Sequence, residues 1–98
     1  MIRYTTPTLV FNVPLDTSIL EEVYVTLKQG KTILEKKYNQ CLYNGKQITV
    51  CLSQAETAEF KPNREIYIQL RCKDENGNAY ASQIFRTEME SVIKEGVI

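Results

Sequence analysis

Lys46–Asn63, KQITVCLSQAETAEFKPN, joins an alternating strand to a short capped helical turn that a proline ends. Ile48, Val50 and Leu52 alternate with Gln47, Thr49 and Cys51, the period of two that marks a strand with one buried face. Ser53-Gln54-Ala55-Glu56 then matches a capping box, in which the serine accepts from the third helical amide and the glutamate reaches back to the cap. Ala55, Glu56, Ala58 and Glu59 carry the helical turn, near 54–59, until Lys61-Pro62 ends it, because the residue before proline is pushed out of the α region. A helix this short is marginal alone. Phe60, together with Leu52, is expected to anchor it on a core. A strand, one helical turn and a second strand describe a β domain with a crossing connection.

Upstream, Leu9, Phe11 and Val13 share one face of a strand predicted within Thr5–Val13, with Val10 and Asn12 on the other. Pro7 and Pro14 bracket it, and a residue without a ladder donor belongs at a sheet edge. Leu15–Glu22 reads as a connector in which Asp16 and Ser18 turn or cap the chain. Val23, Val25 and Leu27 point inward from the next strand, leaving Tyr24, Thr26 and Lys28 outside. After a turn at Gln29-Gly30, the inward face of strand 31–38 has two readings. Ile33 with Glu35 and Lys37 is one; Leu34 with Lys36 and Tyr38 is the other, and it is preferred because it buries fewer charges. Asn39–Tyr43 follows as a short strand, and Asn44-Gly45 is a hairpin signal of the type I′ kind.

Downstream, Ile66, Ile68, Leu70 and Cys72 alternate with Tyr67, Gln69 and Arg71 within Glu65–Lys73. Asp74–Asn78 is a polar loop with a positive-φ glycine at Gly77, and a single return strand is expected from Ala79 to about Glu90. Phe85, Thr87 and Met89 share one face of it, and Ile84, Arg86 and Glu88 the other. Val97-Ile98 is an apolar tail that is expected to dock on this domain or on a partner. About seven strands at such spacing predict an all-β, immunoglobulin-like β-sandwich forming one domain over 1–98, without internal repeat or linker.

Twelve basic and twelve acidic residues give formal net charge zero, which argues against a nucleic-acid partner and removes one barrier to self-association. No apolar run approaches membrane-spanning length, and the first residues lack a signal-peptide layout, so a cytosolic location is expected at least where the chain is made. The chain has no histidine, which excludes Ser-His-Asp and Cys-His catalysis. Cys41, Cys51 and Cys72 match no zinc spacing and no even-numbered disulfide framework; they read as small buried or half-buried thiols. Asp16 and Asp74 fall at turns, where they cap or bend the backbone. No catalytic residue, cofactor or metal ligand is expected, and the chain reads as a non-enzyme. The remaining lead is aromatic. Tyr24 and Tyr67 fall on outward faces, and Arg71 stands near Tyr67; such residues are enriched in interface cores. With Val97 and Ile98 they are the candidate interface residues.

The succession Leu52-Ser53-Gln54-Ala55-Glu56-Thr57, Lys61-Pro62-Asn63, Ile66-Tyr67-Ile68-Gln69-Leu70, Asn76-Gly77 and Ala81-Ser82 resembles the immunoglobulin-like N-terminal domain of phage baseplate upper proteins and similar small prophage-encoded proteins. The likeness covers most of the chain and is most specific from about Gln47 to Phe85. It departs at Pro62-Asn63-Arg64, where the family pattern commonly has a glycine. The resemblance implies a structural protein of tail or baseplate type, present in the virion and acting by assembly with other phage structural proteins or with itself. A ligand- or carbohydrate-binding β-sandwich is the alternative, with tyrosines as the stacking groups.

Overall fold

A computed structural model describes all 98 residues. Eight strands form two antiparallel sheets. β1 (Thr8–Asn12), β5 (Gln47–Cys51) and β4 (Leu42–Asn44) make a three-stranded sheet in the order β1-β5-β4. β2 (Leu20–Gln29), β3 (Thr32–Lys37), β6 (Arg64–Asp74), β7 (Ala79–Ala81) and β8 (Phe85–Met89) make the other, in the order β3-β2-β6-β7, with β8 also on β6. The molecule is an all-β sandwich in which the one α-helical turn, α1 (Gln54–Ala58), carries the chain from β5 to β6.

The core follows from alternation. Ile48, Val50 and Leu52 from the smaller sheet meet Val23, Val25, Leu27, Ile66, Ile68 and Leu70 from the larger, all buried. α1 has the expected cap: the Glu56 amide donates to Ser53 Oγ at 3.1 Å, and the Ser53 amide donates to Glu56 Oε1 at 2.8 Å. Phe60, fully buried, anchors the turn on this core as expected. Thr57 is fully buried as well; its hydroxyl donates to the Thr5 carbonyl and accepts from the Thr5 amide, tying the segment before β1 to the helix.

Four expectations are corrected. Leu20–Glu22 is not connector but the start of β2, preceded by a 3₁₀ turn at Thr17–Ile19 that Asp16 caps through the Ser18 amide. Residues 39–41 are not strand, since a 3₁₀ turn spans Tyr38–Gln40 and β4 begins at Leu42. The β4–β5 turn pairs Asn44 with Gln47, so Gly45-Lys46 is its centre, and only Gly45 has positive φ (57°). A type I′ turn would need two such residues. The fourth correction is the return strand, which is two strands. β7 pairs as Cys72↔Tyr80 and β8 as Ile68↔Phe85, a register offset of one residue. An inserted residue of this kind is a β-bulge. Ser82 holds it, its hydroxyl accepting from the Leu70 amide at 3.0 Å and its amide donating to the Leu70 carbonyl at 2.9 Å. The bulge lets Tyr80 and Phe85, of opposite sequence parity, both face the core side.

The inward face of strand 31–38 is the one led by Leu34 and Lys36. Leu34 is half-buried, Lys36 is buried, and Ile33, Glu35 and Lys37 do not enter the core. Tyr38 does not follow them, because it leaves the strand in the 3₁₀ turn and stacks on Tyr43 with ring centroids 4.8 Å apart.

Candidate interface: an open strand edge beside an apolar cleft

β1 is an edge strand, and its hydrogen-bonding phase is set at both ends. The Val13 amide donates to the Lys46 carbonyl at 2.9 Å, and the Leu52 amide donates to the Pro7 carbonyl at 3.0 Å. In an antiparallel ladder alternate residues bond the same neighbour. Pro7, Leu9, Phe11 and Val13 therefore face β5, while the amides and carbonyls of Thr8, Val10 and Asn12 face away from it. The side chains agree: Thr8 Oγ1 and Cys51 Sγ lie 3.6 Å apart, and Gln47 Nε2 donates to Asn12 Oδ1 at 3.1 Å, as close non-bonded pairs do.

Beside this edge the two sheets part. A cleft of about 640 Å³ opens between β1 and the β7–β8 side of the larger sheet, with Leu9, Phe11, Ile68, Leu70, Tyr80 and Phe85 among its walls. Phe11 and Phe85 face each other across it with ring centroids 6.2 Å apart. The β6–β8 bulge lies at its wall, where Ser82 closes the polar groups of Leu70 that the register change would otherwise leave open. Tyr80 is held by Asp74, whose carboxylate accepts the phenol at 3.1 Å and also the amides of Asn76 and Asn78. Burial would raise the Asp74 carboxyl, but these donors together hold it below its ordinary value, while the bond to Asp74 and its own burial raise the Tyr80 phenol. Asp74 thus shapes the loop, as its place in the sequence indicated.

The sequence-derived interface residues occupy two other surfaces. Tyr24, Tyr67 and Arg71 lie on the outer face of the larger sheet. Tyr24 pairs with Arg71 across β2 and β6, and Tyr67 pairs with Arg86, whose guanidinium lies 5.5 Å from the ring centroid. The Tyr24 phenol donates to Glu22 at 3.1 Å, which raises the phenol and lowers the carboxyl. Val97 and Ile98 are elsewhere. The tail docks on its own domain at α1, where Gln54 accepts from the Ile98 amide at 2.9 Å and donates to its carbonyl at 3.2 Å, with both apolar side chains exposed. Tyr67 also borders a shallow polar depression of about 530 Å³ walled by Lys31, Lys61, Arg64 and Glu65. Sequence reasoning missed the cleft. Its signal was the run Thr8–Asn12, a strand between prolines with no charge on it.

All three cysteines are free thiols. Cys41 and Cys72 are buried, which raises both thiols, whereas Cys51 is exposed on the outer face of β5 rather than half-buried. No helix is long and apolar enough to cross a membrane. No protein-family model, curated protein or solved structure matches this chain.

Proposed function

We propose that this chain is a non-catalytic assembly module, a phage- or prophage-encoded structural protein of tail or baseplate type that acts through protein–protein contact. The observation that carries the assembly part is β1, an uncharged strand edge with open backbone bonds next to an apolar cleft. Unpaired edges are templates for another strand, and natural sheets guard them with charge, brevity or cover. The phage part is supported by the resemblance of the Gln47–Phe85 pattern to baseplate upper proteins. Its partners are then other structural proteins of the particle or the chain itself, its place of action is the virion after synthesis in the cytoplasm, and its balanced charge gives no footing for nucleic acid.

A second reading is a ligand-binding module, favoured by the polar depression beside Tyr67, where Lys31, Lys61 and Arg64 gather around one carboxylate. Gene context and co-purification separate the two. The assembly reading expects flanking genes for tail components and co-elution with at least one of their products. Flanking sugar-uptake genes together with saturable oligosaccharide binding overturn it.

A further inference from the structure

The geometry points to a second copy of this chain as the occupant of the open edge: β1 pairs antiparallel with β1 of another protomer about a two-fold axis at Val10. This deepens the assembly reading and rests on it. The register follows from the bonding phase. Only Thr8, Val10 and Asn12 have backbone groups facing away from β5. Pairing Val10 with Val10 places Thr8 opposite Asn12 at both ends, so every open donor of one strand meets an open acceptor of the other. The edge is self-complementary, as an isologous two-fold contact requires. Pro7 and Pro14 limit the pairing to this segment, because proline brings no donor to a ladder.

The other sheet edges are guarded. β3 carries Glu35, Lys36 and Lys37, β4 and β7 are three residues long, and β8 carries Arg86 and Glu88 and is met at its end by the Ile2–Glu90 bridge. β1 is five residues long without a charge, and the chain's zero formal net charge sets no repulsion between copies. Side chains support the same arrangement. Leu9 and Phe11 of the two strands become cross-strand neighbours on the inner face, so the two apolar clefts join and close. Val10, 52% exposed in the single chain, meets its counterpart on the outer face.

Light scattering on the full chain over a concentration series tests the proposal with two variants at Val10. Val10→Pro removes the outward amide while leaving the β1–β5 bonds, all made by odd-numbered residues, in place. Val10→Lys sets like charges opposite each other at the axis. The expected result is a wild-type dimer at high micromolar concentration, self-association weakened at least about tenfold in both variants, and for Val10→Lys an unchanged melting temperature at dilutions where wild type is monomeric. In a Cys51→Ser background, Val10→Cys is expected to give a disulfide-linked dimer on mild oxidation. Facing Cα atoms in a bonded antiparallel pair are about 5.5 Å apart, within disulfide range. A wild-type chain that stays monomeric, or a Val10→Lys variant that dimerises as well as wild type, overturns the second copy as occupant. A monomer that still co-elutes with the product of a flanking tail gene leaves the assembly reading standing while this inference fails; failure of both removes both.

Discussion

The Lys36 ammonium lies 2.6 Å from the Glu56 carboxylate, joining an edge strand of the larger sheet to the helical turn between the sheets. Both side chains are largely withdrawn from water, at 11% and 22% exposure. Glu56 serves twice, since it also accepts from the Ser53 amide. Burial would raise its carboxyl, but the Lys36 ammonium and the Ser53 donors outweigh burial and hold it below the ordinary value.

Removing one partner of such a pair costs more than the pair contributes, because the remaining charge stays desolvated. Lys36→Met is expected to destabilise the domain by about 2–3 kcal/mol, discounted for partial exposure from the cost of breaking a fully buried pair. Lys36→Met/Glu56→Gln is expected to cost less than the sum of its single changes. Urea unfolding of the four proteins measures it; additive costs would show that the contact is not coupled.

Acid sensitivity follows from the same group. Both Glu56 and Asp74 titrate lower in the folded chain than their ordinary values of 4.5 and 3.8. A depressed carboxyl contributes stability that is complete above its unfolded value and disappears as pH falls through its folded one. The melting temperature is therefore expected to hold from about pH 7 to 5 and fall steadily below. Glu56→Gln should lower the plateau and reduce the acid slope. A slope unchanged by that substitution counts against the assignment.

The helical turn depends on its cap and its anchor by different amounts. Ser53→Ala leaves the Glu56 amide without its acceptor and is expected to cost about 1 kcal/mol. Phe60→Ala empties a fully buried site and is expected to cost about 3–5 kcal/mol. Chemical denaturation of both variants should return that order, and a cap costlier than the anchor would reverse the account of what holds α1.

The outer tyrosine face makes a separate prediction. Tyr67→Ala and Arg71→Ala remove exposed groups of the larger sheet, so the melting temperature should move by no more than about 0.5 kcal/mol in equivalent stability. If that face binds a partner, both variants lose co-elution with it. Unfolding of both would show instead that the residues serve the sheet.

The elements legible in the chain are those with local causes. β5, α1 and β6 follow from alternation, a capping box and Lys61-Pro62, all acting over a few residues, and the core set Ile48, Val50, Ile66, Ile68 and Leu70 comes with them. The return strand misled because Ala79–Glu90 has no local mark at Ser82. The bulge there exists through bonds to Leu70, twelve residues earlier.

The local pattern of the chain was enough for β1, β2, β5 and β6, the capped turn and the buried side of their apolar residues, because periodicity, capping and proline geometry are written in neighbouring residues. Charge counting along strand 31–38 favoured an inward Lys36, but only the tertiary structure supplied its partner, Glu56, twenty positions away on another element. It alone decided which β1 amides are left open and that the sheets part beside Phe11 and Phe85. Pairing phase and sheet separation belong to the meeting of distant strands, so no single stretch of the chain contains them.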